Sequence, residues 1–282
     1  MNRVKLNLIG GGFQHHIQCS SAMNTNKYVE WVLDKSSNIS VHVDEAIFSL
    51  VDKGKFNIAW LIESSAIIPH LIEGVKQNVN NVLNTYDMFI THDLRLLSIS
   101  EKFKYVPTNC LSWIQSRQIY PKSKLISMIG SSKVMCPGHQ FRQEIIRKYQ
   151  NQVDHYGRGF AGRELPWSYI DENGKEESGK LIGLKDYYYS IAMENDNYDI
   201  IFVEKITDCF TTGTIPIFWG TKKISEVFNP EGIIFLEDFN PELCTPKLYY
   251  SKMKAIEENF TIACNLLSPE DYLYLNYLKG NV

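Results

Sequence analysis

Short apolar runs alternate along the chain with stretches whose apolar residues recur at helical spacing, and this alternation predicts α/β architecture with parallel sheets. In the first half, residues 4–9 are an apolar strand that ends at Gly10-Gly11-Gly12, a tight turn. Residues 28–34 have helical spacing, 56–62 form a second strand centred on Ala59, Trp60 and Leu61, 71–83 are helical, and 88–91 are a third strand. Residues 107–124 carry Pro107 and Pro121 and lack strong periodicity, which places a boundary near their end and divides the chain into domains 1–123 and 124–282. In the second half the expected strands are 124–129, 153–156, 190–193, 215–219 and 233–236. Helices are expected over 138–149, with Phe141, Ile145 and Ile146 inward, over 202–212 with Gly213 as its cap, and over 247–267 and 269–278. Residues 157–180 are polar and rich in glycine, so they read as one long loop.

Composition narrows the class. With 282 residues the chain has the length of two α/β domains, and 44 % hydrophobic against 22 % charged residues is the balance of a packed protein. A net charge of -3, with lysines and arginines spread among acids, argues against a nucleic-acid partner. The six cysteines form no CxxC pair, which excludes the usual zinc spacings and any disulfide framework, and Cys209 and Cys264 read as buried thiols. No stretch approaches the roughly 20 apolar residues of a membrane span, and the first apolar run breaks too early for a signal peptide. The expectation is a cytoplasmic protein with no membrane span.

The polar residues are informative because of where they fall. Ligands of open parallel sheets bind beyond the carboxyl ends of the strands, where helix N-termini also point. Arg142 lies about one turn into the helix after strand 124–129, next to the turn containing Ser131. Glu194 and Asn195 close strand 190–193, and Glu204 and Lys205 open the following helix. A helix N-terminus disfavours a cation, so Lys205 there suggests an anionic ligand such as a diphosphate. The plainer reading makes Glu204 and Lys205 a solvated first turn, and Arg142 a surface partner of Glu144 or Asp154. Tyr187, Tyr188, Tyr189 and Trp219 are read as core or sheet-face aromatics.

Four segments of this half resemble the donor-binding signature of the α-1,3-fucosyltransferases, family 10 of the glycosyltransferases. They are Tyr187-Tyr188-Tyr189-Ser190-Ile191-Ala192-Met193-Glu194-Asn195, Val203-Glu204-Lys205-Ile206-Thr207-Asp208, Thr212-Gly213-Thr214-Ile215-Pro216-Ile217-Phe218-Trp219-Gly220 and Val153-Asp154-His155-Tyr156-Gly157-Arg158-Gly159. Phe228-Asn229-Pro230 continues the likeness, which covers roughly residues 125–260. The chain departs from the pattern at Ile201, where the family usually has tyrosine, and at Met193, where it usually has phenylalanine. The resemblance implies a GT-B-like fold, two Rossmann-like domains with parallel sheets facing a central cleft. The first domain would bind an oligosaccharide acceptor, and the second a nucleotide-sugar donor, GDP-fucose. Carried over by position, Arg142 and Lys205 would neutralise the diphosphate, Asn195 would bond a phosphate or the sugar, and Glu204 would hold the ribose hydroxyls. Inverting fucosyl transfer, forming an α-1,3-type linkage, is the implied reaction.

Such a transfer needs a general base for the acceptor hydroxyl. Glu63, directly after strand 56–62, is the first candidate, and the alternative for it is a helix-start carboxylate before Ser64-Ser65. His15 and His16, in the loop after the first strand, are the others. Gly10-Gly11-Gly12 lacks dinucleotide-binding spacing. No DxD-type pair stands in the donor region, so no metal and no cofactor is expected to be required beyond the donor substrate itself. Two other functions stay open: a GT-B transferase using another nucleotide sugar, and a catalytically inactive sugar-nucleotide or glycan-binding protein.

Overall fold

The computed structural model describes residues 3–10, 17–49, 55–159, 163–197 and 202–280. Among them the strands form a six-stranded parallel sheet, a five-stranded parallel sheet and one antiparallel hairpin. The chain divides into two compact units, Met1–Cys110 with Leu267–Val282, and Leu111–Tyr198 with Phe202–Leu266.

The first unit contains β1 (Val4–Ile9), β2 (Val29–Val32), β3 (Ile39–Val43), β4 (Phe56–Trp60), β5 (Met88–Ile90) and β6 (Phe103–Lys104), in sheet order β2-β1-β3-β4-β5-β6. Helices α1 (Pro69–Gln77), α2 (Val79–Thr85) and α3 (Leu94–Leu97) follow β4 and β5. Alternate residues of β4 serve opposite faces, as a pleated strand requires. Ile58 and Trp60 join the core with Leu6, Val41 and Val43, whereas Ala59 packs with Leu71, Ile72 and Val75 of α1. Residues 28–34, expected to be helical, contain β2 instead, paired in parallel with β1 from Val4↔Val29 to Asn7↔Val32. Val29 and Trp31 are buried and Glu30 and Val32 are not, a period of two that β-branched and aromatic residues favour.

The second unit opens with residues 111–123, which the expected boundary assigned to the first domain. They are tied to the end of the helix that precedes Ile215–Trp219: Gln118 and Tyr120 donate backbone N–H bonds to the carbonyls of Thr211 and Thr212, and Lys122 Nζ donates to Thr212 O at 2.7 Å. Strands β7 (Lys124–Ile129), β8 (Asp154–Tyr156), β11 (Tyr187–Met193), β12 (Ile215–Trp219) and β13 (Ile234–Phe235) form the sheet in order β13-β12-β11-β7-β8. The stretch expected to be one loop holds a hairpin of β9 (Ser168–Ile170) and β10 (Glu176–Ser178), in which Asp171 Oδ1 accepts the N–H groups of Asn173 and Lys175 across the turn. Helix α4 (Pro137–Lys148) crosses from β7 toward β8 and α5 (Glu204–Thr211) from β11 to β12. α6 (Pro246–Ser251) and α7 (Met253–Cys264) follow β13. All seven positions of the central strand β11 are buried, Tyr187 to Tyr189 included, as expected for a strand covered on both faces.

The terminal helix α8 (Pro269–Leu273) belongs to the first unit rather than the second. Leu273 and Leu278 sit in the core of the six-stranded sheet. Glu270 accepts from Ser20 N and Trp31 Nε1, and Asp271 accepts from Lys27 N and Tyr28 N at 2.8 Å each. No local pattern reports these bonds, because they join residues more than 200 positions apart.

Gly157 sets the approach of the turns after β7 and β8. Its φ is +114° and a Cβ there would lie 2.0 Å from Gly130 O. Gly157→Ala is therefore expected to destabilise the second unit by about 2 kcal/mol or more, seen as a lower denaturation midpoint. A midpoint within error of wild type would contradict this account of the turn.

Candidate donor site

The carboxyl ends of β7 and β11 and the first turn of α5 enclose a cavity of about 170 Å³. Ser131, Arg142, Glu204 and Lys205 all line it, together with Lys180 and Asp208. The two cations expected to share a ligand thus share one cavity. Arg142 is buried, so the reading of it as a surface ion-pair partner is excluded: Asp154 pairs instead with Arg163. Its Nη2 donates to Met193 O at 3.4 Å and stands 3.5 Å from Asn195 Oδ1.

Glycine allows α4 to begin so close to β11. A Cβ on Gly138 would fall 2.1 Å from Asn195 O, so any larger residue would push the helix and Arg142 off the strand. His139, in the same first turn, donates from Nε2 to Asn195 Oδ1 at 3.1 Å. Burial, with Arg142 nearby, keeps its pKa below the usual histidine range, so the neutral ring orients the Asn195 amide. Asn195 thus adjoins the cavity through Arg142 and His139.

On α5, Lys205 Nζ pairs with Glu194 Oε2 at 3.1 Å, and Glu194 Oε1 accepts from Val203 N at 3.0 Å. Glu194 therefore holds both the start of α5 and the cation that projects from it. Glu204 Oε1 receives Lys180 Nζ at 2.9 Å, and the same Nζ lies 3.0 Å from Asp208 Oδ2. Burial opposes the charge of Glu204, but Lys180 and Lys205 outweigh it and draw the carboxyl down to about 2. Asp208 moves the other way: burial raises it despite Lys180.

Lys180, Asp208 and His139 were not singled out from sequence. Asp208 lies one helical turn after Glu204, a spacing that puts the two carboxylates on one face. Lys180 stood in the segment read as a loop, where no periodicity marks it.

Glu63 belongs to the first unit, exposed just past the carboxyl end of β4. Beside it, Asp44 Oδ1 accepts from Ile62 N at 2.9 Å, and burial together with the charge of Glu63 pushes Asp44 up to about 6. His15, His16 and Ile201 lie outside the described residues. Among the described residues, no group of three or more His, Cys, Asp or Glu side chains could hold a metal ion, and no helix is long and apolar enough to cross a membrane. All six cysteines are free.

Because Glu204 titrates near 2 in the folded chain and near about 4.3 when unfolded, its ionised form contributes stability above about pH 4.3. That contribution is lost as pH falls through the folded value. Urea unfolding of wild type and Glu204→Gln should differ at pH 7 and converge as pH drops from about 4.3 toward 2. A gap that is constant across this window would contradict the pairing.

Comparison with known proteins gives the site a family. Residues 119–259 match the family model for glycosyltransferase family 10 (fucosyltransferase), C-terminal region. An α-(1,3)-fucosyltransferase FucT of Helicobacter pylori is 34 % identical over 56 residues, which span 20 % of this chain and 12 % of that protein. A crystal structure of an α1,3-fucosyltransferase with GDP aligns over 95 % of this chain and 92 % of its own, at 14 % identity and a TM-score of 0.52. That likeness concerns the fold, α/β of the GT-B type with two Rossmann-like units. With the match covering half its length and including every cavity-lining residue named above, the chain belongs to glycosyltransferase family 10, the fucosyltransferases.

Proposed function

We propose that the chain is an inverting glycosyltransferase that moves fucose from GDP-fucose to a glycan hydroxyl, forming an α-1,3-type linkage. The observation that carries this reading is the convergence of Arg142, Lys180 and Lys205 on a cavity that also presents Glu204. In the transfer, the acceptor oxygen attacks the anomeric carbon and the bond to the β-phosphate oxygen breaks. The electron pair leaves with the diphosphate, where negative charge develops. Arg142 and Lys205 face that charge. Arg142 is already held by Met193 O and Lys205 by Glu194, so little reorganisation is needed as charge grows. Glu204 accepts from the ribose hydroxyls, and Asn195, oriented by His139, bonds a phosphate or the sugar.

Glu63 is the base that takes the acceptor proton, and the first unit is the acceptor-binding part. Its exposed position beyond a strand end supports that role. The cationic side chains supply the charge that a metal would otherwise supply, so none is required. Six free cysteines support a reducing, cytoplasmic setting.

GDP should raise the thermal midpoint and UDP should not, since a ligand that binds the folded state stabilises it by mass action. Arg142→Met should lower turnover of GDP-fucose about 10²–10³-fold. Glu63→Gln should abolish transfer while GDP binding is kept. Equal stabilisation by GDP and UDP would overturn the donor assignment. Tight GDP binding without release of GDP from GDP-fucose would make the chain a binding protein, and full activity in Glu63→Gln would move the base elsewhere.

A further inference from the structure

Lys180, which lies outside the donor motif, is the centre of a charge cluster with two carboxylates of that motif, Glu204 and Asp208. Its backbone is fixed by what precedes it. The Ser178 hydroxyl accepts Lys180 N at 3.3 Å, and Gly179 approaches Pro166 O so closely that a Cβ would stand 1.8 Å from it. Glu177, buried, accepts the N–H groups of Gln115 at 2.9 Å and Ser116 at 2.7 Å, joining the hairpin to residues 111–123. From this base the Lys180 ammonium reaches Glu204 Oε1 at 2.9 Å and Asp208 Oδ2 at 3.0 Å, with the Trp113 ring centroid 3.8 Å away.

The rest of the cluster is equally constrained. Asp208 Oδ1 accepts from Ser112 Oγ at 2.8 Å and from Trp113 N at 2.7 Å, so Asp208 cannot move toward another partner without breaking buried bonds. Glu204 and Asp208 are four residues apart on α5, where two like charges repel. A carboxylate buried in that position is kept ionised by a cation and takes up a proton without one. Lys180 engages one oxygen of Glu204, and the carboxylate has a second oxygen with which to meet a diol.

We infer that Lys180 is a positioning residue for nucleotide binding: it holds Glu204 against Asp208 at the cavity wall in the one orientation that accepts both ribose hydroxyls. This rests on the reading of Glu204 as the ribose acceptor. Asp208 and the Trp113 face are the fixed frame on which Lys180 stands, so the chain recognises ribose through a lysine that need not touch it.

The test compares binding of GDP and 2′,3′-dideoxy-GDP by calorimetry. Wild type should prefer GDP by roughly tenfold or more, the scale of a charge-assisted hydrogen bond. Glu204→Gln should bring the ratio near unity. Lys180→Met should do the same, although Glu204 itself is intact, while Lys180→Arg keeps the charge and should keep the preference. Should Lys180→Met fail to fold because Asp208 is left buried and unpaired, Lys180→Met combined with Asp208→Asn removes one charge of each sign and carries the same expectation. General loosening of the site would weaken both nucleotides alike and leave their ratio unchanged. A wild-type ratio in the Lys180→Met forms, with the ratio lost in Glu204→Gln, overturns this inference alone. A wild-type ratio in Glu204→Gln overturns the ribose reading and this inference with it.

Discussion

Withdrawing charge from water beside the cavity at the carboxyl ends of β7 and β11 is the constraint on which the second unit depends. Lys180, Glu204 and Asp208 form one group, and Glu194 with Lys205 forms another. Each ion is largely withdrawn from water and paired with an opposite charge, and Asp208 and Glu194 also accept the backbone N–H groups of Trp113 and Val203. Removing one member of such a group costs about 3–5 kcal/mol because it strands the others. The pairing therefore determines where α5, the β9–β10 hairpin and residues 111–123 lie relative to one another. A polar network of this kind specifies geometry more than it adds stability, which is what a site for a charged leaving group requires.

The backbone brings the charges together. α4 can start against Asn195 only because residue 138 is glycine, and that start carries Arg142 onto Met193 O. α5 presents Lys205 at a helix N-terminus, where its charge is unfavourable by itself. Glu194 compensates that cost, and an incoming diphosphate would do so more fully. With cations and carboxylates balanced before any ligand arrives, affinity for an anion comes from directed donors rather than from a strongly positive surface, in keeping with a net charge of -3.

The first unit follows a different logic. Its sheet is closed at one face by α8, which returns from the far end of the chain and anchors through Glu270 and Asp271 to the segment before and within β2. Elsewhere in this unit the carboxyl end of β4, with Glu63, lies beside the half-buried Asp44, whose Oδ1 accepts from Ile62 N. Asp44 adopts φ 47°, a left-handed conformation that few residues besides glycine, asparagine and aspartate accept, and its side chain accepts from Ile62 N there.

Sequence alone determined the α/β class, all five strands of the second sheet and three of the six in the first, because periodicity is a local property, and motif spacing pointed to Arg142, Glu204 and Lys205, which line one cavity. Strand 4–9 and strand 215–219 agree with the structure to the residue. Local information misled at residues 28–34, where helical spacing coexisted with the alternation that pairing with β1 selects. It could not show that residues 269–278 pack on the first sheet, that 111–123 join the second, or that a lysine at position 180 meets a glutamate and an aspartate on α5. Those facts come from contacts between distant residues, whose energy appears only when burial removes water from the charges and backbone groups concerned. Tertiary structure alone decided that the cations share one cavity and that Glu204 is held by a partner outside the motif.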